Sequence, residues 1–266
     1  MKETIRMLLF KTLRTLANPF PRIHGFVQRS LLHGQTALTL EPGSETVVVL
    51  APHMDDEAIG CGGTIARHAA AGGNVTVVFL TDSRYGSTLA AQQQLIATRK
   101  QESELANEIL GVKRRVFLDA DAAHLGTDAL TAKRLQAILE EIRPSIVYLP
   151  FFLERHPDHR ITSDVLIAAT RDTALSFECR CYEVWTPLFP NRVVCIDATV
   201  ELKKRAIGCY QSQLAHTDFL HIGLGLNAYR SSTMISNGCR FVEAFYALPL
   251  REYRQLYGTF SRSSWQ

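Results

Sequence analysis

Two short runs, residues 46–51 (TVVVLA) and 75–80 (VTVVFL), are rich in β-branched residues and almost continuously apolar. A strand with one wetted face alternates apolar with polar side chains. A strand that does not alternate must be covered on both faces, which is the condition of a parallel sheet held between two helical layers. The neighbouring segments agree. Residues 58–71 read as a helix stopped by Gly72-Gly73, and residues 89–110 as a longer one with Gly111 at its C′ position. Residues 115–118, 129–142 and 146–150 continue the alternation of strand and helix. Past Arg160 the pattern loosens into a helix over 161–174, strands over 181–185 and 192–196, and a helix over 198–213, while 216–238 resists assignment. The expected fold is α/β, a Rossmann-like three-layer sandwich with a mostly parallel sheet and helices on both faces. With 266 residues, 46% of them hydrophobic, residues 41–266 read as a single domain behind an N-terminal extension, residues 1–40.

The formal net charge of +3 is too small to point to a nucleic-acid partner. Its excess is local, because Lys2, Arg6, Lys11, Arg14, Arg22 and Arg29 face the single acid Glu3 within residues 1–33, where Ile5, Leu8, Leu9, Leu13 and Leu16 recur at helical spacing. This segment reads either as a basic amphipathic helix on an anionic membrane, or as a helix packed on its own domain or on a second subunit of a homo-oligomer. The apolar run from Met7 to Phe10 ends at Lys11, too short for a signal peptide or a span. The six cysteines show neither a CxxC pair nor the spacing of a disulfide frame. A cytoplasmic protein is the expectation, with membrane association open only through that segment.

Chemistry concentrates in two clusters. His53-Met54-Asp55-Asp56-Glu57 follows the strand 46–51, and Arg155-His156-Pro157-Asp158-His159 follows the strand 146–150. The carboxyl ends of strands are where open α/β sheets bind ligands. Alone, Asp-Asp-Glu is commonly a helix start, where carboxylates complement the dipole, and His-Pro-Asp-His a solvated loop. Together, each after a buried strand, they describe one site. His53, Asp56 and His159 offer two nitrogens and one oxygen, the donor set of a catalytic zinc with an open position, and no cysteine accompanies them as it would in a closed structural site. Bound Zn²⁺ lowers the pKa of water to about 7. Asp55 is then available to take the proton, and His156 to stabilise an oxyanion with Asp158 holding its ring. Fe²⁺ or Co²⁺ would suit the same ligands. A dinucleotide site is disfavoured, since Gly60-Cys61-Gly62-Gly63 comes after acids that would repel a pyrophosphate. His124, His216 and His221 have no partner in the sequence, and Cys61 reads as a small buried residue.

These clusters resemble those of the LmbE-like, or PIG-L, family of zinc-dependent N-acetylglucosaminyl deacetylases, whose pattern is a His-Pro-Asp-Asp-Glu loop after the first strand and a later His-Pro-Asp-His loop. Weaker similarities run from about residue 46 to 247: Arg99 with Glu102 and Leu110-Gly111, Lys204 with Ala206 and Tyr210-Gln211-Ser212-Gln213, and Glu243-Ala244-Phe245. The resemblance implies His53, Asp56 and His159 as zinc ligands, Asp55 as general base, and His156, supported by Asp158, as the oxyanion-stabilising group. It implies Arg99 as a contact to substrate hydroxyls, while Glu57 reads as a tie to the loop backbone. Met54 stands where the family has proline. Asp121 falls one place from the register of the family's sugar-facing aspartate and is the candidate for that role. The implied reaction removes the N-acetyl group of an amino sugar or glycoconjugate, releasing acetate and a free amine. Two other readings stay open: a zinc-dependent amidase acting on a non-sugar N-acyl compound, and a non-catalytic metal- or glycan-binding protein. The intact Asp55 and His156 argue against the last.

Overall fold

The computed structural model describes residues 38–84, 88–121, 125, 129–234 and 238–261. The basic segment 1–33 and His124 lie outside the described residues. Within them, strands β1 (Leu38–Thr39), β2 (Thr46–Ala51), β3 (Asn74–Thr81), β4 (Arg114–Ala120), β5 (Ile146–Pro150), β6 (Glu178–Tyr182), β7 (Arg192–Cys195) and β8 (Val242–Pro249) form one sheet in the order β1-β7-β8-β6-β5-β2-β3-β4. Neighbours are parallel except at β8, which runs antiparallel to β6 and β7. The helices are α1 (Asp56–Ala70), α2 (Leu89–Ile109), α3 (Ala129–Ile142), α4 (Pro157–Thr170), α5 (Val200–Cys209), α6 (Gln211–Leu214), α7 (Phe219–Met234) and α8 (Leu250–Ser261). None of the described helices is long and apolar enough to cross a membrane.

The lack of alternation in β2 has the expected cause. Val47, Val49 and Ala51 enter a core shared with α1, α2, α5 and the start of α7, while Val48 and Leu50 enter a second core with α3, α4 and α8 on the other face. Each buried Val or Leu of this kind contributes roughly 1.5–3 kcal/mol of transfer free energy. From β2 the chain winds through β3 to β4 in one direction, and from β5 to β6 in the other. Winding therefore reverses between β2 and β5, paired at Val47 with Ile146, and the crevice outside their carboxyl ends is the place such a sheet binds ligands.

Helix α1 lies very close to the sheet. A Cβ added at Gly60 would stand 2.3 Å from the Tyr182 ring, and one at Gly63 would stand 2.7 Å from Ile196. The helix is kinked at Cys61 (φ −146°, ψ 22°). A kink takes amides out of the helical ladder, and the buried carboxylate of Glu243 accepts two of them, Gly63 N at 2.9 Å and Thr64 N at 2.8 Å. Lys203 of α5 closes this group with an Nζ–Oε1 distance of 2.6 Å to Glu243.

Several boundaries differ from the sequence reading. Helix α4 begins at Pro157, four residues ahead of the expected start, so the second cluster is a helix N-terminus and not a free loop. His156 is its N-cap, with Nδ1 accepting from Asp158 N at 3.2 Å and proline following at N1. Strand β6 starts at Glu178, earlier than expected, because it pairs on both sides, with β5 and β8. The helix expected over 198–213 breaks at Tyr210 (φ −82°, ψ 58°). Leu38 and Thr39, assigned to the extension, join the sheet beside β7. Within 216–238 the chain forms α7, whose buried residues are Phe219, Gly223, Asn227, Arg230 and Ser231. Their spacing is helical, but glycine and polar groups occupy the buried face, so hydrophobicity carries no period there. Finally, Cys195 and Cys239 form a disulfide, Cα to Cα 6.0 Å, that no spacing rule disclosed.

Candidate active site

The first cluster occupies the turn from β2 into α1 and the second the turn from β5 into α4; because β2 and β5 are neighbours, the two turns meet. His53 and His159 converge on one carboxylate oxygen. Asp56 Oδ2 lies 3.2 Å from His53 Nδ1, 3.2 Å from His159 Nε2 and 2.9 Å from the His53 amide. His156 completes a group of three imidazoles, its ring centroid 4.7 Å from that of His53 and 5.2 Å from that of His159. His53, His156 and His159 each present one ring nitrogen within 4.8 Å of the others, a grouping that could hold a metal ion.

The residues fit such an ion. His159 is fully buried, yet neither of its ring nitrogens completes a hydrogen bond, although Nε2 faces Asp56. Buried polar atoms normally find partners, and a divalent cation bound by nitrogen and carboxylate donors would supply one here. Asp56 shows the same demand for positive charge. Burial opposes its ionisation, but the charge of the His159 ring, the hydrogen bond to His53 and the charge of that ring hold its carboxyl far below the usual range. For His53, burial works against the charged ring, and hydrogen bonds to Asp158 and Asp56 overcome it, pushing the pKa up to about 10. Asp55 is raised, first by burial and then by the charge of Asp56 beside it, with Arg99 among the opposing influences. His156 is lowered by burial and by the two neighbouring rings.

The backbone is strained at this point. Asp55 has φ 147° and Ser83, at the end of the neighbouring strand β3, has φ 54°, conformations that non-glycine residues adopt at a cost and that gather at functional sites. Ser83 links the elements: its Oγ accepts Met54 N at 3.3 Å and its carbonyl accepts Arg99 Nη1 at 2.8 Å. Nothing in the sequence marked Ser83 except its place just past a buried strand.

The other site candidates fall as follows. Arg99 is buried, with Nη2 donating to Gln213 Oε1 at 2.8 Å, while Glu102 accepts the Ser212 amide at 2.8 Å; the two weakly similar stretches are thus in contact. Asp158, expected to hold His156, has Oδ2 4.0 Å from His156 Nδ1 but 2.9 Å from His53 Nε2, so its direct partner is His53. Glu57, expected to tie the loop backbone, accepts instead from Tyr210 Oη and from Asn107 Nδ2, the latter at 3.0 Å; burial raises its pKa to about 7. This ties α1 to α2 and to the break at Tyr210. Asp121 stands at the end of β4, 3.7 Å from Arg84, whose Nε donates to Asp82 at 2.6 Å. His216 and His221 are exposed, and Cys61 is buried as expected.

Comparison with known proteins identifies the class to which this fold, with its paired carboxylate and histidine turns at the switch point, belongs. Residues 48–170 match the model of the PIG-L family, described as GlcNAc-PI de-N-acetylase. Diacetylchitobiose deacetylase of Thermococcus kodakarensis is 30% identical over 185 residues, 63% of this chain and 69% of that protein. The 1D-myo-inositol 2-acetamido-2-deoxy-alpha-D-glucopyranoside deacetylase of Rhodococcus erythropolis is 30% identical over 55% of this chain and 60% of its own. The solved N,N'-diacetylchitobiose deacetylase of Pyrococcus horikoshii shares the fold, with a TM-score of 0.65 at 24% identity over 87% of this chain and 93% of that one. The chain belongs to the PIG-L/LmbE family and, with it, to the hydrolases acting on amide bonds.

Proposed function

We propose that this protein is a zinc-dependent N-deacetylase of acetamido sugars, with His53, Asp56 and His159 holding the metal. The observation that carries the reading is the convergence of His53 and His159 on Asp56 Oδ2, each at 3.2 Å, beside a third histidine. An ion bound there would lend Lewis acidity to the amide carbonyl and to a water molecule. The chain's own residues do the rest. Asp55, next to Asp56 and buried with it, takes the proton of the attacking water. His156 accepts the Asp158 amide on Nδ1, so the neutral ring carries its proton on Nε2 and donates a hydrogen bond from there to the oxygen on which negative charge develops. Arg99, joined to the Ser83 carbonyl and Gln213, fixes the wall on which the sugar hydroxyls rest, and Asp121 lies further out on the same sheet edge. Collapse of the tetrahedral species, with the proton taken from water passing to the leaving nitrogen, releases acetate and the free amine.

The relatives named above are deacetylases of acetamido sugars, which favours a sugar over another N-acyl compound. The test is acetate release by zinc-loaded protein from N-acetylglucosamine, diacetylchitobiose and a panel of non-sugar N-acyl amines. Release from the sugars, lost in Asp55→Asn with zinc retained, is the expected result. Release confined to the non-sugar amides would make the protein an amidase of another class, and zinc binding without any turnover would make it a binding protein.

A further inference from the structure

Trp185 follows β6 at the sheet edge that carries the histidine cluster, and 41% of it is exposed. Its backbone is fixed by a single buried carboxylate. Glu154, 1% exposed, accepts the amides of Val184 and Trp185 on Oε1, at 2.8 and 3.0 Å, and the amide of Arg155 on Oε2 at 3.1 Å. Arg155 N also reaches Thr186 Oγ1 at 2.9 Å. The loop bearing Trp185 is therefore coupled to the residue immediately before His156. From behind, Glu183 accepts Leu188 N at 2.7 Å and pairs with Arg230 of α7. Phe219, at the start of α7, meets the indole at a ring-centroid distance of 5.5 Å and an angle of 72°.

Apolar surface left in water forgoes roughly 25 cal/mol per Å² of burial. Packing alone does not account for a buried carboxylate that holds the Trp185 amide in place while 41% of the residue stays in solvent. Rigid aromatic side chains presented beside a polar centre provide contact area at little entropic cost. On a loop coupled through Arg155 to the turn that bears His156, and with an acetamido sugar as the substrate there, the complementary partner is the C–H face of a pyranose ring. We propose that Trp185 is the stacking platform for a second pyranose ring, linked to the acetamido sugar whose amide is cleaved, so that the preferred substrates are glycosides of at least two rings. This rests on the reading of the site as an acetamido-sugar deacetylase.

Steady-state kinetics on N-acetylglucosamine and diacetylchitobiose compare the wild type with Trp185→Ala, Trp185→Leu and Trp185→Phe, each checked by thermal melting. Trp185→Leu keeps bulk against Phe219 and lacks the π face. The expected result is a KM for diacetylchitobiose raised about five- to tenfold in the Ala and Leu variants, a loss at least threefold smaller on N-acetylglucosamine, and recovery in Trp185→Phe. Equal losses on both sugars, or none, would overturn the proposal. Should the wild type release acetate from neither sugar, the deacetylase reading itself fails, and a second measurement still judges Trp185. The chain has two tryptophans, so in a Trp265→Phe background Trp185 reports alone. Its fluorescence should shift on titration with diacetylchitobiose at concentrations where N-acetylglucosamine has no effect, and an unchanged spectrum would overturn the assignment.

Discussion

Asp158 orients His53: its Oδ2 lies 2.9 Å from His53 Nε2, while the other nitrogen of that ring faces Asp56. A histidine that binds a metal through one nitrogen and gives the other to a carboxylate is held in one tautomer and one orientation, and removing the carboxylate usually lowers metal affinity or activity about 10- to 100-fold. Asp158→Asn is therefore expected to weaken zinc binding by about that factor while the fold persists. Competition with a calibrated chelator measures it. A variant that loses activity at unchanged zinc affinity would show that Asp158 acts on the substrate side of the site.

Two ligand sets would suit an ion here, one with Asp56 as the third donor and one with His156. His156 is the more exposed ring, with 31% of its side chain open against 0% for His159, and its Nδ1 is already engaged by the helix amide. The expectation is that His159→Ala loses bound zinc and all activity, whereas His156→Ala keeps about one zinc per chain and loses roughly 10²–10³ in kcat, the usual cost of one oxyanion donor. Elemental analysis after dialysis separates the cases. Loss of zinc from His156→Ala would move that residue into the ligand set.

Much of this site was legible because its residues are close in sequence and sit at features with a sequence signature. The non-alternating run ending at Ala51 predicts two covered faces, and Val47 and Val48 do enter opposite cores. Both clusters follow such runs, and the adjacency of β2 and β5 brings them together. What stayed hidden depends on long-range pairing. Glu243 is 180 positions from Gly63, and no local pattern announces that a strand carboxylate will take amides from a kinked helix. The partner of Asp158 was missed for a geometric reason: once His156 becomes a helix cap, its Nδ1 turns to the backbone, and the carboxylate reaches His53. Helix α7 was unreadable because its buried face contains Gly223, Asn227 and Arg230.

The Glu243–Lys203 pair should matter for stability and not for chemistry. Both side chains are completely buried, 2.6 Å apart. Breaking such a pair leaves an uncompensated charge in the interior and costs about 3–5 kcal/mol. Lys203→Met is expected to lower the urea midpoint accordingly, and the double variant Lys203→Met/Glu243→Gln to recover part of the loss, because the neutral amide can no longer leave a charge unpaired. Equal midpoints for wild type and Lys203→Met would show that Glu243 is satisfied by the Gly63 and Thr64 amides alone.

His68, near the far end of α1 from Asp56, gives the stability a pH dependence of its own. It is fully buried on α1, with Nδ1 3.0 Å from the Gly43 carbonyl and Nε2 3.0 Å from Tyr148 Oη, which also accepts from Arg180. The carbonyl requires a proton on Nδ1, and the tyrosine hydroxyl donates to Nε2, so both nitrogens are satisfied in the neutral ring. Burial holds the pKa below the ordinary 6.5, although Glu45, 3.1 Å from Nδ1, pulls the other way. Above pH 6.5 the ring is neutral folded or unfolded, and its full contribution is present. Below that value the unfolded chain binds the proton first, so stability falls with pH until the lowered folded value is passed, at a rate of at most about 1.4 kcal/mol per pH unit for one group. His68→Gln should be less stable at pH 7.5 but show a shallower decline between pH 6.5 and 5.0 in urea unfolding. Parallel pH profiles for the two proteins would show that the folded and unfolded chains protonate His68 alike.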